Sequence, residues 1–240
     1  FLPVDFIIIV FIIYFLYNFI IMNINYNLHK YIGYVLAPIR LILLILLYFI
    51  YILLLPLLKF IKQKNINEFN TYWNNTVIFI LGLSINIEGK ENISNKTKII
   101  ISNHIHIYDH HIMLNIFNKV LSHVANEKNY IFPMKYLFDY AKCILCNKHK
   151  KSGVVRKIIE HVKHNDLVIY PDGCNEIPID YNIALFKNGA FIPKKPIQPI
   201  VIRYVPSSNN KLNYKDNITL AKHLLYSLID GHLEIFVKIL

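Results

Sequence analysis

The sequence predicts an α/β protein: a mixed, largely parallel sheet flanked by helices and preceded by N-terminal transmembrane or membrane-embedded helices. Three observations carry this expectation. Two long apolar runs, Phe6–Met22 and Leu41–Leu58, open the chain. From about Asn86 onward, short apolar strands alternate with amphipathic helices, the pattern of helices packed on a sheet. Two polar turns, at 103–111 and at 171–173, sit directly behind apolar strands. The expected division is 1–64 for two hydrophobic membrane helices and 65–240 for one α/β domain.

Each apolar run is near the length a helix needs to cross a hydrocarbon core. The first is too long for a signal peptide, and a second run follows it closely. Tyrosines lie at several ends of the runs, where interfacial aromatics collect. Arg40 precedes the second run and is expected to snorkel to the interface; Pro56 lies within it. Lys59, Lys62 and Lys64 follow the second run, whereas the loop expected between the runs has only Lys30 before Arg40. The positive-inside bias then puts the rest of the chain in the cytoplasm. The asparagines of the N-x-S/T triplets, Asn74, Asn92, Asn95 and Asn217, would stay unmodified there. The chain begins with Phe1, so it is expected to start inside a longer protein.

Further along, Lys98–Ser102 reads as a short buried strand and His110–Leu121 as a helix. Ile144–Cys146 belongs to another short apolar run. Gly153–His164 places Val154, Val155, Ile158, Ile159 and Val162 at helical spacing. Asp166–Tyr170 is a strand ended by Pro171-Asp172-Gly173, strong turn chemistry. Ile197–Val205 is a strand in which Pro199 marks an edge or a start. Leu220–Ile229 is a helix and Leu233–Leu240 a final strand, expected to continue beyond the chain given.

Composition narrows the partners. Hydrophobic residues make up 55% of the 240, charged residues only 17%, yet the net charge is +11 and mean hydropathy is +0.37. A basic, apolar chain suits an anionic membrane surface and phosphate-bearing ligands. No nucleic-acid motif accompanies the charge, so nucleic acid is not expected as a partner. Three cysteines, Cys143, Cys146 and Cys174, make no disulfide framework. Cys143 and Cys146 form C-x-x-C without a second pair to complete a zinc site.

The densest polar cluster is Asn103-His104-Ile105-His106-Ile107-Tyr108-Asp109-His110-His111. It lies between a strand and a helix, where ligands gather in α/β sheets. Three readings of it stand side by side. His104 and Asp109 can pair across the turn, the carboxylate fixing the imidazole tautomer so that His104 accepts a proton from a substrate hydroxyl. The histidines with Asp109 are also ligand types for zinc or iron; their spacing resembles the H-x-H-x-D-H signature of metallo-β-lactamase-type hydrolases with one residue added, and one histidine box of membrane desaturases. His161-x-x-His164 is the only distant companion for such a box. Third, the cluster can be a solvated loop in a chain of eleven histidines. The residues favour function for His104 and Asp109 and a structural role for His106, His110 and His111.

A second set of motifs adds a resemblance. Val168-Ile169-Tyr170-Pro171-Asp172-Gly173-Cys174 is similar to the F-P-E-G-T turn of the glycerophospholipid acyltransferase family. Phe186-Lys187-Asn188-Gly189-Ala190-Phe191 resembles its F-K-x-G-A-F segment, and Pro196–Ile202 resembles its last motif strand. With His104-x-x-x-x-Asp109 these reproduce the family's motif order. Tyr170–Tyr204 looks closest to the lysophosphatidylcholine acyltransferase branch, and the resemblance runs from about Pro38 to the C-terminus. Asp stands at 172 where the family usually has Glu, Cys at 174 where it has Thr. In the remaining block, Ile144–Lys148, Lys148 stands for an Arg and Asn147 for an acid; Lys148 attracts phosphate as a point charge.

The resemblance implies that His104 is the general base and Asp109 its support. It implies that Asp172 and Gly173 help hold the acceptor's phosphate or glycerol part, that Lys148 draws a phosphate, and that Lys187 meets CoA or acceptor phosphates. Gly189 would serve a backbone turn and Pro199 a structural role. Acyl-CoA would be the donor and co-substrate, a lysophospholipid or glycerol-3-phosphate-type acceptor the second substrate, and membrane lipids the surroundings. The chemistry implied needs neither cofactor nor metal, and endoplasmic reticulum is the expected membrane. A metal-dependent membrane hydrolase or oxidase, and a catalytically degenerate scaffold of the same fold, are the alternatives.

Overall fold

The computed structural model of the chain describes residues 26–58, 60–147, 153–171, 188–206, 220–230 and 232–240. The first apolar run, Phe6–Met22, lies outside them.

The second run is the C-terminal part of one 33-residue helix, α1 (Tyr26–Leu58). The loop expected between the runs is therefore helical from Tyr26 onward. Pro38 and Pro56 are accommodated inside α1. No Gly-Asn or Pro-Gly turn pair interrupts the stretch, and the apolar residues upstream of Leu41 have a surface to pack on. That surface corrects the expectation for Arg40. Its side chain does not reach out to an interface; it is buried and donates from Nη1 to the Leu228 carbonyl at 3.0 Å. A cation so placed neutralises the partial negative charge of carbonyls at a helix end. Gly33 permits the approach, since a Cβ there would sit 1.8 Å from the Ile229 carbonyl oxygen. Among the described residues one helix, Tyr31–Leu58, is long and apolar enough to cross a membrane.

Helix α2 (Gln63–Leu81) stops at Gly82, whose φ of 68° lets its N–H bond back to the Ile78 and Phe79 carbonyls. Strand β1 (Leu83–Glu88) follows, starting slightly before the expected change of pattern at Asn86. After it come β2 (Ile99–Ser102), α3 (Asp109–Phe117), β3 (Ser122–Asn126), α4 (Met134–Tyr140), β4 (Ile144–Cys146), α5 (Val154–His161), β5 (Leu167–Ile169), β6 (Ile197–Pro206), α6 (Leu220–Asp230) and β7 (Leu233–Ile239). Helix α3 ends short of the expected Leu121, because Asn118 adopts a left-handed φ of 51° and caps it on the Leu114 carbonyl.

The sheet order is β1-β7-β6-β2-β5-β3-β4. Strands β6, β2, β5, β3 and β4 run parallel, and β7 is antiparallel to β6. The mixed, largely parallel sheet is the one the sequence predicts. Pro199 does not mark an edge: β6 lies between β7 and β2. It sits near the start of β6, one residue before the pairing with β7 begins at Ile200, where its missing N–H disturbs least.

Period-two alternation distributes the core. Ile100 and Val168 join Ile200, Ile202, Ile235 and Val237 in the cluster beneath α1, α2, α3 and α6. Ile99, Ile101, Leu167 and Ile169 point to the other face, against Ile158 of α5 and Val162, which caps that helix. Burying each such side chain is worth about 2 kcal/mol. Central strands covered on both faces read as unbroken apolar runs. Strand β7 instead alternates buried Leu233, Ile235, Val237 and Ile239 with exposed Glu234, Phe236 and Lys238.

Candidate active site

Strand β2 delivers the polar segment to the C-terminal edge of the parallel strands. Asn103 continues the ladder with its side chain, donating from Nδ2 to the Ile202 carbonyl and accepting from the Ile202 N–H, both at 2.8 Å. The chain is thereby anchored to β6 where it leaves β2, and the residues from His104 to Tyr108 turn into α3.

Asp109 is the first residue of α3 and is fully buried. Its carboxylate gathers four donors. Oδ2 accepts from His104 Nδ1 at 2.5 Å, from the Ile105 N–H at 3.0 Å and from the His106 N–H at 3.1 Å. Oδ1 accepts from the Tyr204 hydroxyl at 2.6 Å. A buried carboxylate requires such saturation, and its place at a helix N-terminus adds the favourable end of the dipole. With Nδ1–H donated to Asp109, the His104 ring holds the tautomer whose Nε2 carries the basic lone pair.

Aromatic rings fix the imidazole plane. His104 stacks on Tyr170 at 4.2 Å and 17°, and His123 stacks on the same tyrosine at 6.0 Å and 21°. The buried His106 ring lies 5.0 Å from Tyr204, nearly parallel to it, and its Nδ1 accepts from the Tyr108 N–H at 3.3 Å. The Tyr204 phenol is held well above its usual range, first by removal from water and then by the Asp109 charge. It therefore stays a neutral donor at working pH.

The remaining histidines of the cluster turn to other partners. His110 Nδ1 donates to the Ile107 carbonyl at 2.8 Å. The buried His111 places Nδ1 against Asn74 Oδ1 and Nε2 against the Tyr48 hydroxyl, each at 2.6 Å. Asn74 Nδ2 donates back to the His111 carbonyl at 3.0 Å, which makes Asn74 a buried structural residue. Burial, followed by the charge of His110, pushes the His111 pKa well below its usual value. Among the described residues no three His, Cys, Asp or Glu side chains form a group able to hold a metal ion, so these residues do not fit the ligand sets considered from spacing.

Of the residues expected in the site, His104 and Asp109 are brought together. Lys148, Asp172, Gly173 and Lys187 lie outside the described residues. Asn147, at the end of β4, donates its side-chain amide to Glu127. Gly189 lies in the short helical turn Asn188–Ala190, with Ala190 buried against the α5 face of the sheet. Sequence reasoning missed Tyr204 and gave Tyr170 no role. Strand alternation could have found Tyr204, because it shares the inward face of Ile200 and Ile202.

The sequence profile of the acyltransferase family matches residues 84–203, half of the 240-residue chain. The fold is similar to the crystal structure of the 1-acyl-sn-glycerophosphate (LPA) acyltransferase PlsC from Thermotoga maritima, with a TM-score of 0.62 at 15% identity, over 88% of this chain and 85% of that one. Among curated proteins none matches the chain.

Proposed function

The chain belongs to the acyltransferase family, and from that premise we propose that it moves a fatty acyl group from acyl-CoA to the hydroxyl of a lysophospholipid. The observation that carries the reading is the His104 Nδ1 to Asp109 Oδ2 contact of 2.5 Å at the sheet's C-terminal edge. In this mechanism Nε2 of His104 takes the acceptor's hydroxyl proton as its oxygen attacks the thioester carbonyl. Asp109 stabilises the imidazolium that forms. The tetrahedral intermediate collapses, the carbon–sulfur bond breaks, and the CoA thiolate recovers the proton from His104. The route needs no covalent acyl-enzyme and no bound cofactor.

The finer assignments belong to the same proposal. Lys148 and Lys187 contact substrate phosphates, and Asp172 and Gly173 shape the acceptor turn. The preferred acceptor is of the lysophosphatidylcholine type, in keeping with the motif resemblance of Tyr170–Tyr204.

We place the chain on a membrane, with its α/β domain on the cytoplasmic side of the endoplasmic reticulum. Helix α1 supports this placement. It packs along its length against the α/β body, through Gly33 and Arg40 on α6 and through Tyr51, Leu55 and Leu58 on α2 and α4. Its other face leaves Val35, Ile39, Ile42, Leu46, Phe49 and Leu53 exposed. A helix fixed to a polar domain in this way lies within the near leaflet, apolar face toward the acyl chains.

The test is acyl transfer in membranes that hold the full chain, with labelled acyl-CoA and a panel of lysophospholipids, lysophosphatidic acid and glycerol-3-phosphate. Transfer favouring lysophosphatidylcholine and unaffected by chelator is expected. Preference for glycerol-3-phosphate would overturn the acceptor assignment, and transfer abolished by chelator would overturn the metal-free mechanism.

A further inference from the structure

Among the described residues of the α/β body, exposed apolar side chains are densest between β3 and β4. Ile131, Phe132, Met134 and Tyr136 all face solvent, Phe132 at 74% of its surface. Phe132 and Tyr136 form an edge-on pair at 6.2 Å, and Lys135 Nζ lies 5.1 Å from the Tyr136 ring. Four apolar side chains exposed within six residues exceed the scattered surface hydrophobics of ordinary domains.

The position of the segment says what covers it. It leaves the C-terminal end of β3, and His104 follows the C-terminal end of β2. These strands are parallel and separated by β5 alone, so their ends lie about 10 Å apart on one edge of the sheet. On its inner side α4 packs Leu137 and Tyr140 against Tyr51, Leu55 and Leu58, which seats the segment beside the C-terminal turns of α1. There Leu53, Leu57 and Phe60 are exposed in turn. Charge points the same way. Lys128 and Lys135 lie beside and within the segment, Lys62 just past α1 and Lys142 just past α4, four cations against the two carboxylates Glu127 and Asp139 of the same stretches. An apolar tip in a stretch with a net excess of lysine fits an anionic lipid surface.

We infer that the segment 131–136 is a second membrane contact, inserting its apolar side chains at the lipid interface and turning the catalytic edge toward the bilayer. The inference rests on the membrane reading of α1 and adds to it: a contact at the sheet's C-terminal edge fixes the roll of the body about that helix.

The experiment uses Phe132→Trp in the full chain, reconstituted in vesicles of phosphatidylcholine and phosphatidylglycerol brominated along their acyl chains. The chain's one native tryptophan, Trp73, gives the background. Emission of the variant is expected to shift to the blue and to be quenched by bromine beyond the wild-type level. Quenching equal to the wild type would overturn the inference. So would a blue shift in detergent alone that grows with protein concentration, which would mark a second copy of the chain as the occupant. A paired variant, Phe132→Ser with Met134→Ser, is expected to raise KM for an acceptor presented in vesicles by about tenfold while leaving kcat, and transfer to a monomeric short-chain acceptor, unchanged. Equal losses on both acceptors would contradict the inference. The quenching reads out without turnover, so failure of this inference is distinguishable from failure of the acyltransferase mechanism.

Discussion

Asp109 shows how much one side chain is asked to do. Buried and charged, it is stable because two backbone amides, an imidazole and a phenol all donate to it. The Tyr204 bond has the most distinctive consequence. A hydrogen bond to a charged acceptor is worth about 1.5–3 kcal/mol, and it draws negative charge away from the side facing His104. Tyr204→Phe concentrates that charge on the imidazole, favours its protonated form and raises its pKa. The acid limb of the kcat/KM profile is therefore expected to move to higher pH, with kcat reduced several-fold and KM for either substrate unchanged; a uniform loss without a shift of the limb would assign Tyr204 a packing role only. His104 and Asp109 were legible in the sequence because their pairing is local, five residues apart across one turn. Tyr204 was not, because it lies 95 residues from its partner and only the β6–β2 pairing brings it there.

At the scale of elements, α1, α2 and α3 are clasped through His111. Its two ring nitrogens satisfy Tyr48 on α1 and Asn74 on α2, and it lies two residues beyond Asp109 on α3. The ring is neutral in the fold, its pKa lowered chiefly by burial. The unfolded chain binds a proton at about pH 6.5, so it holds more protons than the folded chain below that pH. Stability is then full above about pH 6.5 and falls as the pH drops toward the lowered folded value. Thermal melts of the full chain in detergent are expected to lose midpoint on acidification through this range, and His111→Gln is expected to flatten that slope; an unaltered slope in the variant would show that other groups govern it. The elements themselves were unevenly legible. Strands β2 and β5 announce themselves as apolar runs of Ile, Leu and Val, β6 as a run rich in Ile and Val, and β7 by alternation of apolar and polar residues. Strand β3 does not, since Ser122-His123-Val124-Ala125-Asn126 carries no clear alternation and owes its place to neighbours on both sides. Helix α2 hides for a related reason: its inward face includes the buried Asn70 and Asn74, polar residues that become core through partners on α1, α3 and α4.

For the whole molecule, the composition already implied a basic chain at a lipid surface, and the fold gives that implication a direction. Helix α1 is part of the body rather than a separate anchor, because Arg40 and Gly33 bind it to α6. That relation could not be read from the apolar run, which looks the same whether one face meets protein or all faces meet lipid. In the proposed mechanism the C-terminal edge of the sheet, α1 and the segment 131–136 together set how an acceptor dissolved in the membrane meets His104. Direct proton abstraction by that residue is the claim on which the mechanism depends. The most direct measurement is transfer of labelled acyl groups from acyl-CoA to lysophospholipid by the full chain and by His104→Ala, at matched insertion and melting midpoint. General-base catalysis predicts a loss of about 10²–10⁴-fold in kcat with KM little changed; turnover by the variant at the wild-type rate would contradict it.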